Sequence, residues 1–441
     1  MISEWPSKRL GDCCLKIGSG ATPKGGKDAY LEHGPFRLIR SQNVYNDGFS
    51  TSGLAYIDED QARKLDGVAV EAGDVLLNIT GDSVARVCQA PEKFLPARVN
   101  QHVALIRPKK SVFDARFLRY FLASPGQQNF MQGLASAGAT RNALTKGMIE
   151  DFLVPCPRLE EQVAIAEVLE SLDDRITLLR ETNATLEAIA QALFKSWFVD
   201  FDPVRAKMEG RAPEGMDEAT AALFPDGFEE SKLGTTPKGW QILSLKQVTS
   251  QIFSGGTPDT RNTLYWGGDI PWFSSGETRN LVVIDTEKNI TQAGVDGSST
   301  KMSLPGDILI ASAGQGHTRG QTSFNTIECY INQSVVAVRA SEVSAPAWLF
   351  FNLRRRYEEM RTLSDSHSSR GSLTTKILAQ MPIVLPPMEI IRAYENVAMA
   401  LLSSIAANEQ TAQTLAAVRD TLLPRLISGQ LRLPEAEALI A

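Results

Sequence analysis

The chain has 441 residues, of which 43% are hydrophobic and 22% charged, a composition typical of a globular protein with two or three domains. It contains no apolar run long enough to predict a membrane-spanning helix, and its first residues lack the pattern of a signal peptide. The five cysteines and four histidines show no metal-ligand spacing. We therefore expect a cytoplasmic protein with reduced thiols, no membrane contact and no metal site.

The formal net charge of −6 conceals an uneven distribution along the chain. Residues 1–150 carry a net charge of +4 and residues 236–386 carry +2, whereas residues 159–200 carry −6 and residues 201–235 carry −4. Acidic segments thus separate two weakly basic blocks. The average charge therefore does not exclude nucleic-acid binding by either block.

The two basic blocks are copies of each other. The first opens with the stretch Gly18–Lys27, in which Ser19-Gly-Ala-Thr-Pro23 returns later as Ser254-Gly-Gly-Thr-Pro258. Further matches follow in the same order: Gly73–Leu77 with Gly306–Ile310, Asn100-Gln101 with Asn332-Gln333, and Arg141 with Arg370. The offset falls from 235 to 229 residues and then stays constant, as loops of unequal length followed by a helix require.

Each copy predicts an α+β domain followed by a long helix. Short β-like runs broken by Gly, Pro, Asn and Asp dominate the first part, with helical stretches near 113–123 and 348–361. The long helices begin just after the prolines at 155–157 and 386–387. The predicted domains are 1–158 and 236–387, the helical segments are 159–200 and 388–441, and residues 201–235 connect them.

An apolar seam with alternating spacings of three and four residues runs along both helices. In the first helix leucines dominate position d and Asn183 occupies position a, a pattern typical of a two-stranded coiled coil with a fixed register. The second helix is less regular, with Arg419 in the seam and Asn408 at position d. If the two asparagines share one antiparallel layer, paired residue numbers add up to 591 and Leu186 meets Ile405.

We therefore predict two repeated α/β domains separated by two long helices that form an antiparallel coiled coil with pseudo-two-fold symmetry. The alternative is a pair of amphipathic helices that each pack on their own domain. An antiparallel pair would hold the domains at opposite ends of a rod of ~58 Å, or roughly 17 base pairs of duplex. Such a chain would resemble a dimeric DNA reader with two half-sites.

Three segments resemble a known family. The segments Ala192–Pro203 (ALFKSWFVDFDP) and Leu422–Arg432 (LLPRLISGQLR), with the Pro-Lys-Gly-Trp240 entry to the second copy, are similar to specificity subunits of type I restriction–modification systems. The resemblance covers nearly the whole chain. It is most specific in the helical segments, because the globular domains diverge within the family.

The resemblance implies that each globular domain is a target recognition domain that reads one half of a bipartite site in double-stranded DNA. It also implies that the helices set the spacing and dock two methyltransferase subunits, and that restriction subunits complete the full complex. The chain itself would be non-catalytic and would hold no cofactor. S-adenosylmethionine, and ATP with magnesium, would be used by the partner subunits.

The residues themselves also favour a non-catalytic chain. The stretch GSGATPKGGK approaches a phosphate-binding loop, but Gly26-Lys27 is followed by Asp28, and the second copy has Asp259 in place of Lys24. No NPPY methyltransferase motif occurs, and the four scattered histidines allow no nucleophile–base assignment. Two other functions remain as alternatives: a coiled-coil scaffold without sequence-specific DNA readout, and an enzyme that uses the glycine-rich loop on a nucleotide.

Loops that combine base-reading and phosphate-binding side chains are the candidates for DNA contact. In the first copy the candidates are Thr22, Lys24, Lys27, Arg40, Gln42, Asn43, Asn78, Thr80, Asn100, Gln101, Arg141 and Asn142. In the second copy they are Thr257, Arg261, Ser274, Ser275, Gln315, His317, Arg319, Asn332, Gln333, Ser369 and Arg370. For the two Asn–Gln pairs a purely structural role, with hydrogen bonds to loop backbone, remains an alternative.

Overall fold

The computed structural model describes residues 5–23, 25–137, 142–314, 317–367 and 372–440. Packing divides the chain into two compact units. The first unit contains the residues up to Thr177 and those from Gln413 onward, and the second runs from Leu178 to Ala412. Each unit therefore holds one α/β domain together with part of both long helices.

The domain of the first unit contains two four-stranded sheets. Its strands are β1 (Ser7–Arg9), β2 (Cys14–Ser19), β3 (Phe36–Ile39), β4 (Val44–Tyr45), β5 (Gly48–Phe49), β6 (Ala55–Ile57), β7 (Ala69–Val70), β8 (Val75–Asn78), β9 (Val87–Gln89), β10 (Ala97–Val99), β11 (Val103–Pro108) and β12 (Leu153–Pro155). Its helices are α1 (Glu59–Arg63), α2 (Ala115–Ala123), α3 (Pro125–Ser136) and α4 (Lys146–Glu150). The sheet orders are β2-β11-β8-β9 and β6-β3-β10-β7, and β1 pairs with β12.

The next segment of chain contains the first long helix and the acidic connection. The elements are α5 (Leu159–Lys195), a π-helical turn (Ser196–Asp200), α6 (Asp202–Met208), α7 (Glu218–Ala222), β13 (Phe228–Ser231) and β14 (Gly234–Pro237). Phe201 ends the helix in the left-handed region at φ 57° and packs against the rings of Phe228 and Trp240. Because Phe224 is also buried, the acidic connection is a folded part of the second unit.

The domain of the second unit repeats the sheets of the first. Its strands are β15 (Gln241–Ser244), β16 (Thr249–Ser254), β17 (Trp266–Phe273), β18 (Val282–Val283), β19 (Lys288–Ile290), β20 (Lys301–Ser303), β21 (Ile308–Ala311), β22 (Thr322–Asn325), β23 (Cys329–Ile331), β24 (Val335–Ala340) and β25 (Pro382–Leu385). Its helices are α8 (Gln292–Asp296), α9 (Pro346–Arg354), α10 (Tyr357–His367) and α11 (Thr375–Ala379). The orders β16-β24-β21-β22-β18 and β19-β17-β23-β20 match those of the first domain, with β18 as an added edge.

The same buried ion pair braces the main sheet of each domain. Arg107 donates from Nε to Asp74 Oδ1 at 2.8 Å, and Arg339 donates from Nε to Asp307 Oδ1 at 2.7 Å. Both aspartates are buried and follow a glycine with positive φ, Gly73 at 82° and Gly306 at 91°. The repeated Gly–Asp is therefore a turn, as expected, and its carboxylate also holds a neighbouring strand.

The second unit contains an antiparallel pairing of α5 with α12 (Met388–Ser428). Asn408 Nδ2 donates to Asn183 Oδ1 at 2.9 Å, and Asn183 Nδ2 donates to Glu409 Oε1 at 3.0 Å, so the two asparagines lie at one level. Further along the same pair, Tyr394 donates its hydroxyl hydrogen to the carbonyl of Ala190 at 3.1 Å. The polar layer thus lies inside an otherwise apolar seam.

The first unit contains its own segment of helix pairing, centred on Asp173 of α5. This carboxylate accepts hydrogen bonds from Arg119 at 2.9 Å, from the Tyr120 hydroxyl at 2.7 Å and from Arg419 of α12 at 2.6 Å. Arg419 interrupts the apolar seam in the sequence, and in the structure it forms an ion pair with Asp173. Burial works against ionisation of Asp173, but these donors outweigh it and lower the pKa of the carboxyl group.

The last described helix, α13 (Leu433–Ile440), follows α12. Among the described helices, α12 is the one that is long and apolar enough to cross a membrane by length and composition. The sequence analysis predicted no membrane-spanning helix, because no long run of consecutive apolar residues occurs. The mean hydropathy of α12 is nevertheless high enough to meet the criterion, because its few charged residues are spread among apolar ones. Apolar residues of α12 such as Tyr394 and Leu402 belong to the core of the second unit, and Leu422 and Leu426 to that of the first.

The hydrogen bond between the two asparagines can be measured by a double-mutant cycle in leucine. Either single substitution breaks the hydrogen bond between the two side chains in the seam and should lower the free energy of unfolding by about 1–2 kcal/mol. The double variant Asn183→Leu with Asn408→Leu should recover that loss, because it replaces the polar layer by apolar packing. Urea denaturation checks this, and strictly additive losses would show that the pair contributes nothing.

The lowered pKa of Asp173 predicts acid sensitivity in the first unit. Because the folded pKa lies below the unfolded value, the stabilisation is fully present above the unfolded pKa and is lost as the pH falls through the folded pKa. Asp173→Asn should cost about 3 kcal/mol near neutral pH, since it removes the carboxylate that pairs with the buried Arg119 and the half-buried Arg419, and should flatten this acid dependence. Asp420→Asn, which removes an exposed partner of Arg419, is the control and should cost under about 1 kcal/mol in thermal unfolding at several pH values.

Candidate nucleic-acid interface

Many of the candidate residues of the first domain lie at one edge of its main sheet. β2 ends at Ser19, β8 ends at Asn78 and β11 begins at Val103. The antiparallel register sets Ser19 opposite Ala104 and Asn78 opposite Val103, so the three strands present these ends side by side. We call the loops after β2 and β8 and before β11 the loop edge.

The second domain has the equivalent loop edge, formed by the loops after β16 and β21 and before β24. There Ser254 lies opposite Val336, and Ala311 lies opposite Val335. Ala311 therefore occupies the place of Asn78. The framework of the edge is shared by the two domains, whereas this side chain is not.

Glycine is required where the first turn approaches the loop edge. A Cβ atom on Gly20 would lie 1.8 Å from the carbonyl oxygen of Val99, and one on Gly255 would lie 1.8 Å from the carbonyl oxygen of Ile331. Backbone hydrogen bonds close the contact, from Gly20 N–H to the Asn100 carbonyl and from Gly256 N–H to the Ile331 carbonyl, both at 3.1 Å. The repeated Ser-Gly-x-Thr-Pro is thus a turn pressed against the Asn–Gln segment.

This contact brings a threonine and a glutamine together in both domains. Thr22 donates from its hydroxyl group to Gln101 Oε1, and Thr257 donates to Gln333 Oε1. Both glutamine side chains are exposed. The two halves of this contact lie about 80 residues apart in sequence, so the pairing is a product of the fold.

The asparagine before each glutamine is buried and shapes the turn. Asn100 Oδ1 accepts the backbone N–H of His102 at 3.0 Å, and Asn332 Oδ1 accepts that of Ser334 at 3.0 Å. Each glutamine therefore stands at the middle of an Asx turn. The structural alternative raised from the sequence describes the two asparagines, whereas the glutamines face outward.

The first domain adds a polar chain that has no counterpart among the described residues of the second. Gln101 Nε2 lies 2.9 Å from His102 Nε2, and His102 Nδ1 is hydrogen-bonded to Thr80 Oγ1 at 2.5 Å. Thr80 in turn bridges to Ala143, next to the exposed Asn142. The structure thus joins four separate loops of the first copy into one polar surface.

A second group of candidates surrounds the turn after β3. Arg40 donates to the carbonyl of Gly53 and lies 5.1 Å from the Tyr30 ring, while the exposed Gln42 donates to the carbonyls of Ser52 and Gly53 at 3.2 and 3.1 Å. Both side chains therefore tie one loop to another. A ligand could therefore bind only the N–H groups of Arg40 and Gln42 that these contacts leave unused.

The equivalent turn of the second domain holds Ser274 and Ser275. Ser274 N–H donates to the buried Glu277 at 2.7 Å, and the Ser275 carbonyl accepts from Thr278 at 2.7 Å. Glu277 thus takes the capping place that Asn43 has in the first domain. The spacing Ser-x-x-Glu of a capping box is the sequence signal for this arrangement.

Two further candidates lie in the long β21–β22 loop of the second domain. The Tyr357 hydroxyl donates to the carbonyl of His317 at 2.8 Å, and the His317 side chain is exposed. Arg319 donates to Asp365 at 2.5 Å and is mostly covered. Arg261, beside Asp259 on the loop after β16, is 90% exposed and is the most accessible of the described arginine candidates.

Three comparisons with known proteins bear on this arrangement. A family model described as the type I restriction modification DNA specificity domain matches the chain twice, over residues 2–188 and 237–418. The chain belongs to this family. It is therefore the DNA-specificity subunit of a type I restriction–modification system, a function favoured over the scaffold alternative.

Similar proteins agree with the family assignment. The HindI specificity subunit of Haemophilus influenzae is 25% identical, over 98% of this chain and 100% of its own length. The MjaIX specificity subunit of Methanocaldococcus jannaschii is 23% identical, over 77% of this chain and 74% of its own length. The crystal structure of a type I S subunit from M. genitalium covers 96% of both chains with a TM-score of 0.57 and 16% identity, which shows a shared fold.

Two candidates of this specificity subunit do not fit a direct role at DNA. Asn43 and Asn78 are fully buried. Asn43 donates to the carbonyl of Ser50 at 2.9 Å and Asn78 donates to that of Ser41 at 2.8 Å. Their amides hold neighbouring loops in place, because a buried amide must be satisfied inside the protein. Burial therefore argues against direct contact of these two amides, and of the buried Asn100 and Asn332, with DNA.

Several predicted positions lie outside the residues that the structure describes. They are Lys24, Arg141, Gln315, Ser369 and Arg370, together with the side chain of Lys27. Arg141 and Arg370 follow α3 and α10 in sequence. Their contact with DNA stays a prediction.

Three cysteines of the specificity subunit are poor nucleophiles. Burial raises the pKa of the Cys14, Cys88 and Cys329 thiols to about 12. These thiols are therefore protonated at neutral pH, and the thiolate is the reactive form. Among the described residues, no group of three His, Cys, Asp or Glu could hold a metal ion.

The close approach of Gly20 to Val99 predicts that alanine substitution affects stability very differently at Gly20 and at Gly133. Gly20→Ala forces a methyl group into a backbone carbonyl and should lower the free energy of unfolding by about 3 kcal/mol. Gly133→Ala is the matched control, because it lies in α3 with open space around it and should raise stability by up to about 1 kcal/mol. Urea denaturation measures both. Equal stabilities would contradict the packing described for the turn.

Proposed function

We propose that each domain reads one half of a bipartite site in double-stranded DNA through its loop edge. The observation that carries this proposal is the pair of equivalent edges, which share one framework and differ in accessible side chains such as His102 against Ser334. Reading two different half-sites requires such a difference on a constant scaffold. The candidates suited to contact are the exposed Gln101, Asn142, Arg261, His317 and Gln333 and the half-buried Thr22, Thr80 and Thr257.

The long helices would fix each domain relative to its own helix segment. In the first unit Arg116 of α2 pairs with Glu170 of α5 at 2.9 Å. In the second unit Arg354 of α9 pairs with Glu187 of α5 at 2.7 Å. These contacts support the assignment of the helices as the element that sets the spacing of the half-sites.

The same helices would dock two methyltransferase subunits, and restriction subunits would complete the complex. Leu178 and Ile189 of α5 and Val397 of α12 are exposed apolar side chains on these helices. A groove of about 690 Å³ between α5 and α9, lined by Phe194, Val199 and other residues, adds apolar surface in the second unit. Apolar surface of this kind suits a protein partner.

The chain itself would be non-catalytic and free of cofactors. S-adenosylmethionine, and ATP with magnesium for restriction, would be bound by the partner subunits. The protonated thiols of Cys14, Cys88 and Cys329 and the absence of a metal cluster among the described residues are compatible with this division of labour. We place the complex in the cytoplasm, where cellular and invading DNA meet.

Charge reversal of two arginines tests the DNA interface. Arg141→Glu with Arg370→Glu, in the chain assembled with its methyltransferase subunits, should lower affinity for duplex DNA at least tenfold at moderate salt, by loss of phosphate attraction. The control Arg63→Glu with Arg211→Glu changes two exposed arginines by the same charge. Fluorescence anisotropy measures affinity. An unchanged affinity in the first variant would remove both arginines from the interface.

Methylation mapping of DNA modified by the same complex tests the half-site assignment. Two short sequences separated by a fixed spacer are expected. A single uninterrupted recognition sequence would contradict the proposal.

A further inference from the structure

The strongest feature not yet assigned is the threonine–glutamine pair that both domains share. Thr22 with Gln101 and Thr257 with Gln333 make the same hydrogen bond at the same place on each loop edge. The neighbouring side chains differ: His102 follows Gln101 in the first domain, whereas Ser334 follows Gln333 in the second. A shared pair within variable surroundings points to a ligand feature that both half-sites have in common.

We propose that Gln101 and Gln333 are positioning residues that contact the sugar–phosphate backbone and set the register of each domain on its half-site. The inference rests on the proposed function. The backbone is the part of DNA that two different half-sites share, whereas residues that read different bases must differ. Glutamine side chains are among the neutral groups that donate hydrogen bonds to phosphate oxygens.

The geometry prepares each amide for this contact. The threonine hydroxyl donates to Oε1, so the Nε2 hydrogens are the groups left to face a ligand. The Asx turn fixes the backbone beneath each glutamine, and the close-packed glycine turn fixes the threonine. A long side chain held in this way loses less rotamer freedom when it binds. In the first domain one of the Nε2 hydrogens is shared with His102, and the second domain lacks this neighbour.

The test compares Gln101→Ala, Gln333→Ala and the double variant in the complex with methyltransferase subunits. Each single variant should weaken binding about fivefold to tenfold, by the same factor for cognate duplex and for unrelated duplex, as expected for loss of one hydrogen bond. The dependence of affinity on salt should keep its slope, because the amide is neutral. The modified sequence, mapped by methylation, should stay the same.

Variants of the threonine separate positioning from direct contact. Thr22→Val removes the hydroxyl group that holds Gln101 and should weaken binding less than Gln101→Ala does. Thr22→Ser keeps that group and should bind like the wild type. Circular dichroism and urea denaturation establish that the variants are folded.

Three results would overturn the inference. A changed base preference at one position would make the glutamine a base reader. Unchanged affinity for duplex DNA in folded variants would show that the threonine–glutamine pair serves only to hold the two loops together. Loss of affinity that appears with cognate duplex but not with unrelated duplex would also exclude a backbone contact. Failure of the wild-type complex to bind duplex DNA at all would instead overturn the proposed function itself.

Discussion

The burial of the apolar seam between α5 and α12 is the constraint on which the rest of the structure depends. Each compact unit needs a segment of both helices to complete its core, with Ile165, Leu169 and Leu426 in the first unit and Tyr394 and Ile405 in the second. The hydrophobic effect alone does not choose between registers, because apolar side chains slide past one another at small cost. The asparagine layer of the second unit and the Asp173–Arg419 pair of the first make a shifted register costly, since each shift would bury polar groups without partners.

The two domains share a constant framework of strands, and they differ in the side chains of their loop edges. The strand orders, the buried Asp–Arg pair and the glycine turn recur in both copies, and they determine where the loop edge lies. Side chains on that edge such as His102 and Ser334 lie outside the domain cores, so they can differ at little cost to the stability of the fold. This separation of stability from recognition explains why a specificity subunit can carry two unlike readers on one architecture.

The sequence predicted a large part of this arrangement, and it failed at identifiable points. The internal offsets indicated a repeated domain, and heptad spacing indicated the long helices and placed Asn183 and Asn408 in one layer, as the structure does. Arg419 looked like a defect in the seam, because its partner Asp173 lies on the other helix and is not visible from one heptad pattern. The candidate asparagines show a second limit of local patterns. Asn43 and Asn78 have the chemistry of base readers, yet that same amide chemistry serves equally well to satisfy buried backbone groups.

By itself, the sequence determined the repeat, the fold class, the helix register and the family, because all of these depend on periodic or local patterns that survive along the chain. The tertiary structure alone decided which polar side chains remain available for a ligand. Availability depends on contacts between residues far apart in sequence, such as Thr22 with Gln101, and on burial, which separates Asn100 from the exposed glutamine beside it. Local patterns do not specify such contacts, since they arise only when strands and loops pack together.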